Sequence, residues 1–466
     1  VNDNGVSERG YDLVKVLSSA TTDGLIPSDY LSTFPDDWMH RDLAELEIVL
    51  TSMFRKWGRD LNGGRTTPSI TSPDIVIARK DFDLAGWLLE VERAGPETVQ
   101  RRLRPAHPQY DRLRSMLSAY RGLAARGGWP AIPDDVVLKP LDRHEHVRAL
   151  RANMTARGYN HVNTSSDPDL YDKELLKAVV HFQGRNGLEI DGVLGPKSFA
   201  ALNMPAEERV NQIIVNMERW RWLPNNLGKR YVLVNQAGFR MRLVEKGRTV
   251  DTRRVIVGKA FHRSPMFSDK IQYLDFNPTW TVPRSIAGNE ILPKLRRDPG
   301  YLAANNYKVY TSWKSDAPAM SPFTINWSDV SSRRFPYKSV QQPGPGNALG
   351  NVKFMFPNKF NVYLHDTPSR GLFARAERAL SHGCIRVHRP LEFASLLFRN
   401  DQAGLDGKKI DNIVSSGKLT RVRLKTPVPV HLAYFTVWVD DDGIPAFFND
   451  VYKRDDLVSR VFFGTV

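Results

Sequence analysis

Residues 381–387 read Ser-His-Gly-Cys-Ile-Arg-Val and contain Cys384, the one cysteine among 466 residues. A single cysteine excludes intramolecular disulfides and zinc sites built from several thiolates. A thiol has a reference pKa of about 8.5 and attacks a carbonyl only when ionised, so a catalytic cysteine needs an imidazole or another cation nearby. His382 lies two positions away. The segment therefore predicts either a nucleophilic thiol or, as is commoner for a free cysteine, a buried and inert side chain.

A second imidazole, that of His365, lies upstream in a sequence typical of a strand. Val362 and Leu364 alternate with Tyr363 and His365, and successive side chains of a strand point to opposite faces. The alternation predicts that His365 projects away from the core.

The residues around Cys384 allow two kinds of chemistry. Gly383 lets a carbonyl substrate approach closely, and nearby backbone N–H groups could form the oxyanion hole that acyl transfer requires. The alternative is a metal site, which would lack a second thiolate or a known ligand spacing. Its zinc ligands would be His365, His382, Cys384 and His388.

Period-two patterns on both sides of this segment predict a β-rich domain over 206–466. Its predicted strands are Tyr231–Asn235, Phe239–Glu245, Val250–Val257, Asp275–Pro283, Val352–His365 and Val430–Val439. The turn Asp442-Gly443 predicts a C-terminal hairpin over about 428–450. Between about 285 and 346 the pattern gives way to an aromatic-rich insertion, and long insertions of this kind are usually functional. We expect either a lid over an extended substrate or a subdomain packed on its own aromatic rings.

The preceding residues are predicted to be helical. At roughly 150 residues per domain the chain should form about three domains, and the fold class is multidomain α+β. Residues 1–140 are predicted to form a helical scaffold, with one apolar face running from Leu43 to Trp57. Residues 141–205 are predicted to form a three-helix module whose turn, Asp191–Pro196, has glycines where unusual backbone angles are needed and a proline suited to a first helical turn.

Composition narrows the possible partners. Lys and Arg number 66 against 51 Asp and Glu, a net charge of +15, and 41% of residues are hydrophobic, which is typical of a globular protein. The charge fits nucleic acid, anionic lipid or an acidic polymer, but no nucleic-acid-binding motif is present, so no nucleic acid is expected. The longest apolar stretch, Val428–Val439, is too short to span a membrane, and an anchor is expected only in a segment preceding Val1.

Several motifs together resemble the L,D-transpeptidase family, in particular its large multidomain periplasmic members. The signature of that family is a histidine, fifteen residues and then Ser-His-Gly-Cys followed by a hydrophobic residue and arginine, here His365 and 381–386. The resemblance extends to Glu218–Pro224, Asn277–Pro283 and Pro343–Gly350. Phe182-Gln183, Asn186–Leu188 and Asp191–Pro196 resemble the peptidoglycan-binding module that such proteins carry, and the inserted segment resembles their capping subdomain.

The resemblance implies roles for individual residues. Cys384 would be the nucleophile and His365 the general base that forms a thiolate–imidazolium pair with it, and the backbone carbonyl of Asp366 would orient the ring. His382, Gly383 and the Cys384 N–H would form the oxyanion region. Substrate-binding residues would be Ser381, Tyr363, Asp366 and Arg386, although Arg386 could equally form a salt bridge that braces the turn.

The reaction implied is acyl transfer on peptidoglycan. Cys384 would attack a diaminopimelate carbonyl in a tetrapeptide stem, release D-Ala and form a thioester, which the amine of a second stem would then attack. The resemblance implies no metal and no cofactor, covalent inhibition by carbapenem-type β-lactams, and a location in the periplasm of a Gram-negative bacterium. The alternatives are a Cys/His hydrolase, acting as a carboxypeptidase or endopeptidase on the same stems, and a non-enzymatic wall-binding protein.

Overall fold

The computed structural model describes residues 6–32, 42–399, 401 and 404–464. The N-terminal helices are α1 Glu8–Ser18, α2 Ser28–Leu31, α3 Leu43–Gly63, α4 Pro68–Thr71, α5 Leu84–Ala94, α6 Pro96–Leu103 and α7 Pro108–Ala125. Helix α3 begins where Asp42 accepts hydrogen bonds from the N–H groups of Ala44 and Glu45. Its buried face repeats at helical spacing, as predicted. That face includes Leu46, Leu50, Met53, Phe54 and Trp57.

The three-helix module follows as α8 His146–Ala156, α9 Lys173–Arg185 and α10 Pro196–Asn203. The Gln183 side chain closes the predicted turn, because it donates to Val193 O at 3.0 Å and accepts from Gly192 N–H at 2.8 Å. The module has a hydrophobic core of its own. Helix α11, Ala206–Trp222, leads from the module into the β-rich domain.

The remaining chain contains the β structure. Its elements in order are β1 Arg230–Asn235, β2 Arg240–Glu245, β3 Arg248–Gly258, β4 Phe267–Phe276, β5 Trp280–Thr281, α12 Arg284–Ile286, α13 Leu292–Arg297, α14 Tyr301–Ala304, β6 Tyr307–Tyr310, β7 Ala319–Met320, β8 Lys338–Gln341, β9 Val352–Met355, β10 Leu364–His365, β11 Ala379–Ser381, β12 Ile385–Val387, α15 Pro390–Arg399, α16 Gly407–Ser415, β13 Thr420–Ala433, β14 Val437–Val439, β15 Pro445–Phe447 and α17 Arg454–Phe463. None of the described helices is both long and apolar enough to cross a membrane.

Nine strands form one mixed sheet in the order β11-β3-β12-β10-β9-β4-β13-β1-β2. Strand β3 also pairs with β2, so the sheet closes on itself. The strands that flank the predicted nucleophile, β11 and β12, both pair with β3. The buried interior of this sheet is one hydrophobic cluster that includes Val362, Leu364 and Ile385. The residues predicted to be catalytic therefore lie on or beside strands whose other face is buried in the core.

Two predicted strands are wrong in extent. The segment Val352–His365 forms β9 and β10 with a loop between them, because Pro357 lacks an N–H and Asn358 closes a turn, accepting from Phe360 N–H at 3.0 Å. The segment Asp275–Pro283 divides at Asn277, whose φ of 48° takes the chain out of the sheet.

The predicted C-terminal arm Val430–Val439 also divides. Strand β13 joins the large sheet, whereas β14 and β15 pair only with each other, over Val437–Phe447. The break comes at Thr436, whose N–H donates to the Asn216 side chain at 2.8 Å. The hairpin then packs its buried residues into the core of the N-terminal helices rather than that of the sheet.

The insertion has its own four-stranded sheet, β5-β8-β6-β7. Its separate hydrophobic core includes Trp327 and Phe335, whose rings stack with centroids 6.2 Å apart. The insertion is therefore a subdomain packed on its own aromatic rings, and its relation to the site is described below.

A buried ion pair on α11 connects the N-terminal helices to the rest of the chain. Arg221 Nη1 donates to Glu218 Oε2 at 2.8 Å, and both side chains are fully buried. Glu218 Oε1 also accepts from the backbone N–H and the hydroxyl of Thr66 at 2.7 and 2.8 Å, and Arg221 Nη2 donates to Tyr110 Oη at 3.0 Å.

We expect Glu218→Ala to lower the free energy of unfolding by about 3–5 kcal/mol, because it leaves the Arg221 charge buried without its partner. Urea denaturation followed by tryptophan fluorescence measures the change. The control is Glu207→Ala on the exposed side of the same helix, which should change the stability by less than about 0.5 kcal/mol. Equal effects of the two substitutions would contradict the importance of the buried pair.

Candidate active site

The predicted catalytic residues lie on one face of three neighbouring strands. In the register, His365 of β10 is opposite Lys353 of β9 on one side and Arg386 of β12 on the other. Tyr363 and Cys384 lie two residues before His365 and Arg386, so alternation places them on the same face. Because adjacent strands are about 4.8 Å apart, the five side chains form a compact group.

Hydrogen bonds hold the turn that presents the thiol. Ser381 Oγ donates to the Cys384 carbonyl at 2.5 Å and accepts from Gly383 N–H at 3.1 Å. Ser264 Oγ donates to the Gly383 carbonyl at 2.7 Å. Gly383 has a φ of 115°, a backbone conformation that side-chain-bearing residues rarely adopt. The Gly383 N–H is thus occupied, whereas the Cys384 N–H has no acceptor among the described residues and is the donor available for an oxyanion.

His365 is held in a single tautomer. Its Nδ1–H donates to the carbonyl of Asp366 at 2.5 Å, the contact that the resemblance implies, and this leaves Nε2 as the acceptor nitrogen. The ring lies on the face opposite Leu364, as predicted, yet only 5% of the residue is exposed. Burial, with a further contribution from the Arg386 charge, lowers the pKa of His365 to about 3. The imidazole is therefore neutral at physiological pH.

The thiol of Cys384 is partly exposed and lies against the loop before β10. Its Sγ is 3.8 Å from the carbonyl oxygen of Asn361, and hydrogen bonding from the hydroxyl and backbone N–H of Tyr363 acts to lower its pKa. No hydrogen bond joins Sγ to His365 within the described part of the chain. Catalytic hydrogen bonds are often long in a ligand-free site and shorten when substrate binds.

The resting site therefore holds a neutral thiol beside a neutral imidazole. Burial raises the pKa of Cys384, although hydrogen bonds from Tyr363 and the charges of Lys353 and Arg386 act in the opposite direction. The structure does not favour the preformed thiolate–imidazolium pair that the resemblance implies, because burial disfavours both charged forms. Proton transfer from Sγ to Nε2 would then accompany attack on the substrate.

The raised pKa predicts how the thiol responds to pH. We expect the rate constant for alkylation of Cys384 by iodoacetamide to rise through pH 9 and beyond, since only the thiolate reacts and its fraction grows with pH. Mass spectrometry after timed quenching gives the rate. Tyr363→Phe removes a donor to the sulfur and should slow alkylation at pH 8 roughly 3- to 10-fold. A rate that is already constant between pH 6 and 8 would contradict the neutral resting thiol.

The insertion contacts the catalytic turn through one pair of side chains. His382 Nε2 donates to Glu290 Oε1 at 2.5 Å, and Glu290 lies on a π-helical turn, Ala287–Ile291. The His262 ring lies 5.2 Å from that of His382. Since His382 is two positions from Cys384, the subdomain contacts the turn that carries the thiol while packing on its own core.

The predicted substrate-binding residues differ in whether their polar groups are already used in contacts within the protein. Ser381 is buried and its hydroxyl is used within the turn. Arg386 forms no salt bridge with a described residue, and its Nε has no hydrogen-bond partner among them. The Asp366 carboxylate accepts from Asn351 N–H at 2.9 Å and lines a separate cavity with Gly350. A substrate contact by any of these side chains stays a prediction.

Sequence reasoning missed Lys353 and Glu290. Lys353 Nζ lies 3.9 Å from the ring centroid of Tyr363, and burial lowers its pKa. Val352 and Phe354 on either side of Lys353 are apolar, so alternation predicts that Lys353 points to the opposite face of the strand. Only the pairing of β9 with β10 places it beside His365. No local signal links Glu290 to His382, which is 92 residues away.

The described residues contain no group of three or more His, Cys, Asp or Glu side chains placed to hold a metal ion. The predicted zinc ligands His365, on β10, and His388, just after β12, make different contacts: His365 bonds to Asp366, and His388 packs on Phe373 with ring centroids 5.2 Å apart.

Three segments of the chain match family models. Residues 229–430 match the L,D-transpeptidase catalytic domain, residues 1–117 the Scaffold domain, and residues 143–202 the model described as "Putative peptidoglycan binding domain". The first and third matches contain the strands of the site and the three-helix module, respectively.

Known proteins give a consistent picture. A Haemophilus influenzae protein named "Putative L,D-transpeptidase" is 32% identical over 289 residues, which is 62% of this chain. The chain spans 57% of that relative's length. Two solved L,D-transpeptidases, from Mycobacterium smegmatis and Xylanimonas cellulosilytica, are 12% and 15% identical with TM-scores of 0.20. They cover 44% and 64% of this chain, with 58% and 98% of their own lengths matched.

Proposed function

We propose that this chain, which belongs to the L,D-transpeptidase family, joins diaminopimelate residues of peptidoglycan stem peptides through a thioester on Cys384. The observation that supports the proposal most is the pairing of Leu364-His365 with Ile385-Arg386 on adjacent strands, which Tyr363 and Cys384 directly precede. This arrangement brings a tautomer-locked imidazole to the face that carries the thiol. A base and a nucleophile on neighbouring rigid strands suit acyl transfer.

In the first step Sγ of Cys384 attacks the diaminopimelate carbonyl carbon of a tetrapeptide stem while Nε2 of His365 accepts the thiol proton. The Cys384 N–H, which has no acceptor among the described residues, stabilises the oxyanion in this step. Collapse of the tetrahedral intermediate breaks the amide bond, and the imidazolium returns the proton to the departing amine of D-Ala. A thioester remains on Cys384.

In the second step the side-chain amine of another diaminopimelate attacks the thioester. His365 accepts a proton from that amine, the C–S bond breaks, and the thiol is restored when the proton returns to sulfur. The cations Lys353 and Arg386 flank His365 and favour the carboxylates of an incoming stem, which Arg can bind with two parallel hydrogen bonds.

The outcome depends on whether water reaches the thioester, since hydrolysis would release a tripeptide. The Glu290–His382 contact holds the insertion over the catalytic turn and supports its role as a shield. The proposal places the reaction in the periplasm, where peptidoglycan is assembled, and makes carbapenem-type β-lactams covalent inhibitors.

Product analysis with a defined tetrapeptide stem tests the proposal. Incubation of the full chain with donor and acceptor stems should give a cross-linked dimer and free D-Ala, detected by liquid chromatography and mass spectrometry. The control is the same donor with an acceptor whose side-chain amine is acetylated, which should yield no dimer. Release of D-Ala with only tripeptide as product would instead assign a carboxypeptidase, and no D-Ala release would favour a wall-binding protein.

A further inference from the structure

A cavity of about 810 Å³ opens between the three-helix module and the large sheet. The module contributes Gly187 and Glu189, and the sheet contributes Arg240 and Arg254. The third wall is the loop Arg375–Arg378, which leads directly into β11. The cavity is thus bounded by the module, by strands and by the segment that ends in the predicted nucleophile.

Arginine dominates the lining of this cavity. The arginines are Arg240, Arg253, Arg254, Arg375, Arg378 and Arg389, against three carboxylates. Each of the three is already engaged: Asp251 and Glu392 pair with Arg253, and Glu189 accepts from Ala376 N–H at 3.1 Å. Within the described part of the chain, four of the arginines have no carboxylate within 4 Å. They are Arg240, Arg254, Arg375 and Arg378.

The cavity also shows the electrostatic effect of these charges. Burial and then the charges of Arg240 and Arg254 lower the pKa of Arg378 to about 10. Two lining residues, Phe239 and Arg389, each have a φ of 49°, which is uncommon for residues with side chains. Such backbone strain clusters at functional sites. An anion bound here would relieve the repulsion among the cations.

Strand β3 connects the cavity to the active site. Arg254 lines the cavity, while Gly258, four residues later, pairs with Ser381 of the catalytic turn. At about 3.3 Å per residue the two positions are roughly 13 Å apart. A ligand in the cavity would therefore lie close to the turn without occupying it.

We propose that this cavity is a second substrate site, which binds the carboxylates of a peptidoglycan stem peptide that is not the one being cleaved. The inference rests on the proposed function and extends it to a neighbouring stem in the wall. Carboxylates match the planar guanidinium groups, which bind them in bidentate fashion. A stem peptide carries several carboxylates. Arg240, Arg254 and Arg375 lie at separate positions and would hold more than one of them, whereas Arg378 donates to backbone carbonyls and adds its charge.

Hydrogen exchange of the full-length Cys384→Ala chain with a soluble tetrapeptide stem tests this site, because the variant leaves the peptide intact. We expect the peptide to protect amides at 251–254 and 374–378 in addition to those at 381–384. In Arg240→Glu/Arg375→Glu the concentration needed for half-maximal protection of the cavity amides should rise at least tenfold, with the 381–384 protection retained. Both arginines are exposed, which makes misfolding a small risk.

The control is Arg55→Glu/Arg101→Glu, which makes the same change of charge at exposed positions on the N-terminal helices and should leave both regions unaffected. Arg240→Gln/Arg375→Gln repeats the test without introducing negative charge. Protection of the catalytic turn alone, or cavity protection insensitive to both double variants, would overturn the second site. Cavity protection by pyrophosphate but not by the tetrapeptide would overturn the assignment to carboxylates. Cavity protection without turn protection would support the site while counting against the proposed function.

Discussion

The Cys384→Ala variant is expected to form cross-linked stems at least about 10⁴-fold more slowly than the unaltered chain, with no release of D-Ala. Removal of a covalent nucleophile eliminates the thioester route altogether, and losses of this size follow the loss of such groups in other acyl-transfer enzymes. Chromatography of products after hours of incubation gives the residual rate. The described residues offer no second cysteine to replace the missing thiol.

Stability measurements separate loss of chemistry from loss of fold. The thiol donates only weakly, to Asn361 O at 3.8 Å, and sulfur is a weak acceptor, so its removal should change the free energy of unfolding by less than about 1 kcal/mol. Cys384→Ser retains a hydroxyl of similar size and should be nearly as inactive, because a serine without its own activation is a poor nucleophile. Cross-linking by either variant at more than a few per cent of the normal rate would contradict the nucleophilic role.

The His365→Ala variant is expected to lose about 10³-fold in cross-linking rate, since the base that carries the proton in both steps is missing. Alkylation of Cys384 by iodoacetamide above pH 9 should change less than tenfold in the same variant. The difference arises because the resting imidazole is neutral and forms no hydrogen bond to the thiol among the described residues, so it contributes little to ionising Sγ. Measuring the rates of cross-linking and of alkylation on one preparation tests whether the two reactions are affected to different extents.

His365→Gln provides the matched control, since its amide can donate to the Asp366 carbonyl while lacking a basic nitrogen. Equal losses for His365→Gln and His365→Ala would identify proton transfer, rather than packing, as the function that is missing. If His365→Ala instead slowed alkylation and cross-linking by the same factor, the thiol would depend on His365 for its ionisation, and the neutral resting pair would be wrong.

Sequence patterns predict the elements of the site better than its connections. Alternation predicts that Val362 and Leu364 point to one face of the strand and Tyr363 and His365 to the other. The structure confirms this arrangement. Lys353 could not be predicted to lie beside His365, because the loop through Asn358 sets the register of β9 against β10. Alternation also does not predict whether other segments cover a side chain that points away from the core. His365 is predicted to project from the core, yet only 5% of it is exposed.

Contacts between distant segments escape sequence reasoning for the same physical reason. Five of the six cavity arginines lie on β2, on β3 and in the loop before β11, and only the pairing of β3 with both β2 and β11 brings them together. The hairpin β14–β15 is a further example. Its buried side chains suit the interior of either domain, and packing with α7 and α11 decides that it joins the helices.

Intact-protein mass spectrometry after incubation with a carbapenem tests the central claim, an accessible and reactive Cys384, most directly. The unaltered chain should gain the mass of one carbapenem, and Cys384→Ala should gain none under the same conditions. An adduct of equal yield on both proteins would show that another residue reacts. Absence of an adduct on the unaltered chain, when iodoacetamide modifies Cys384 at high pH, would contradict an acyl-accepting thiol and favour a wall-binding protein.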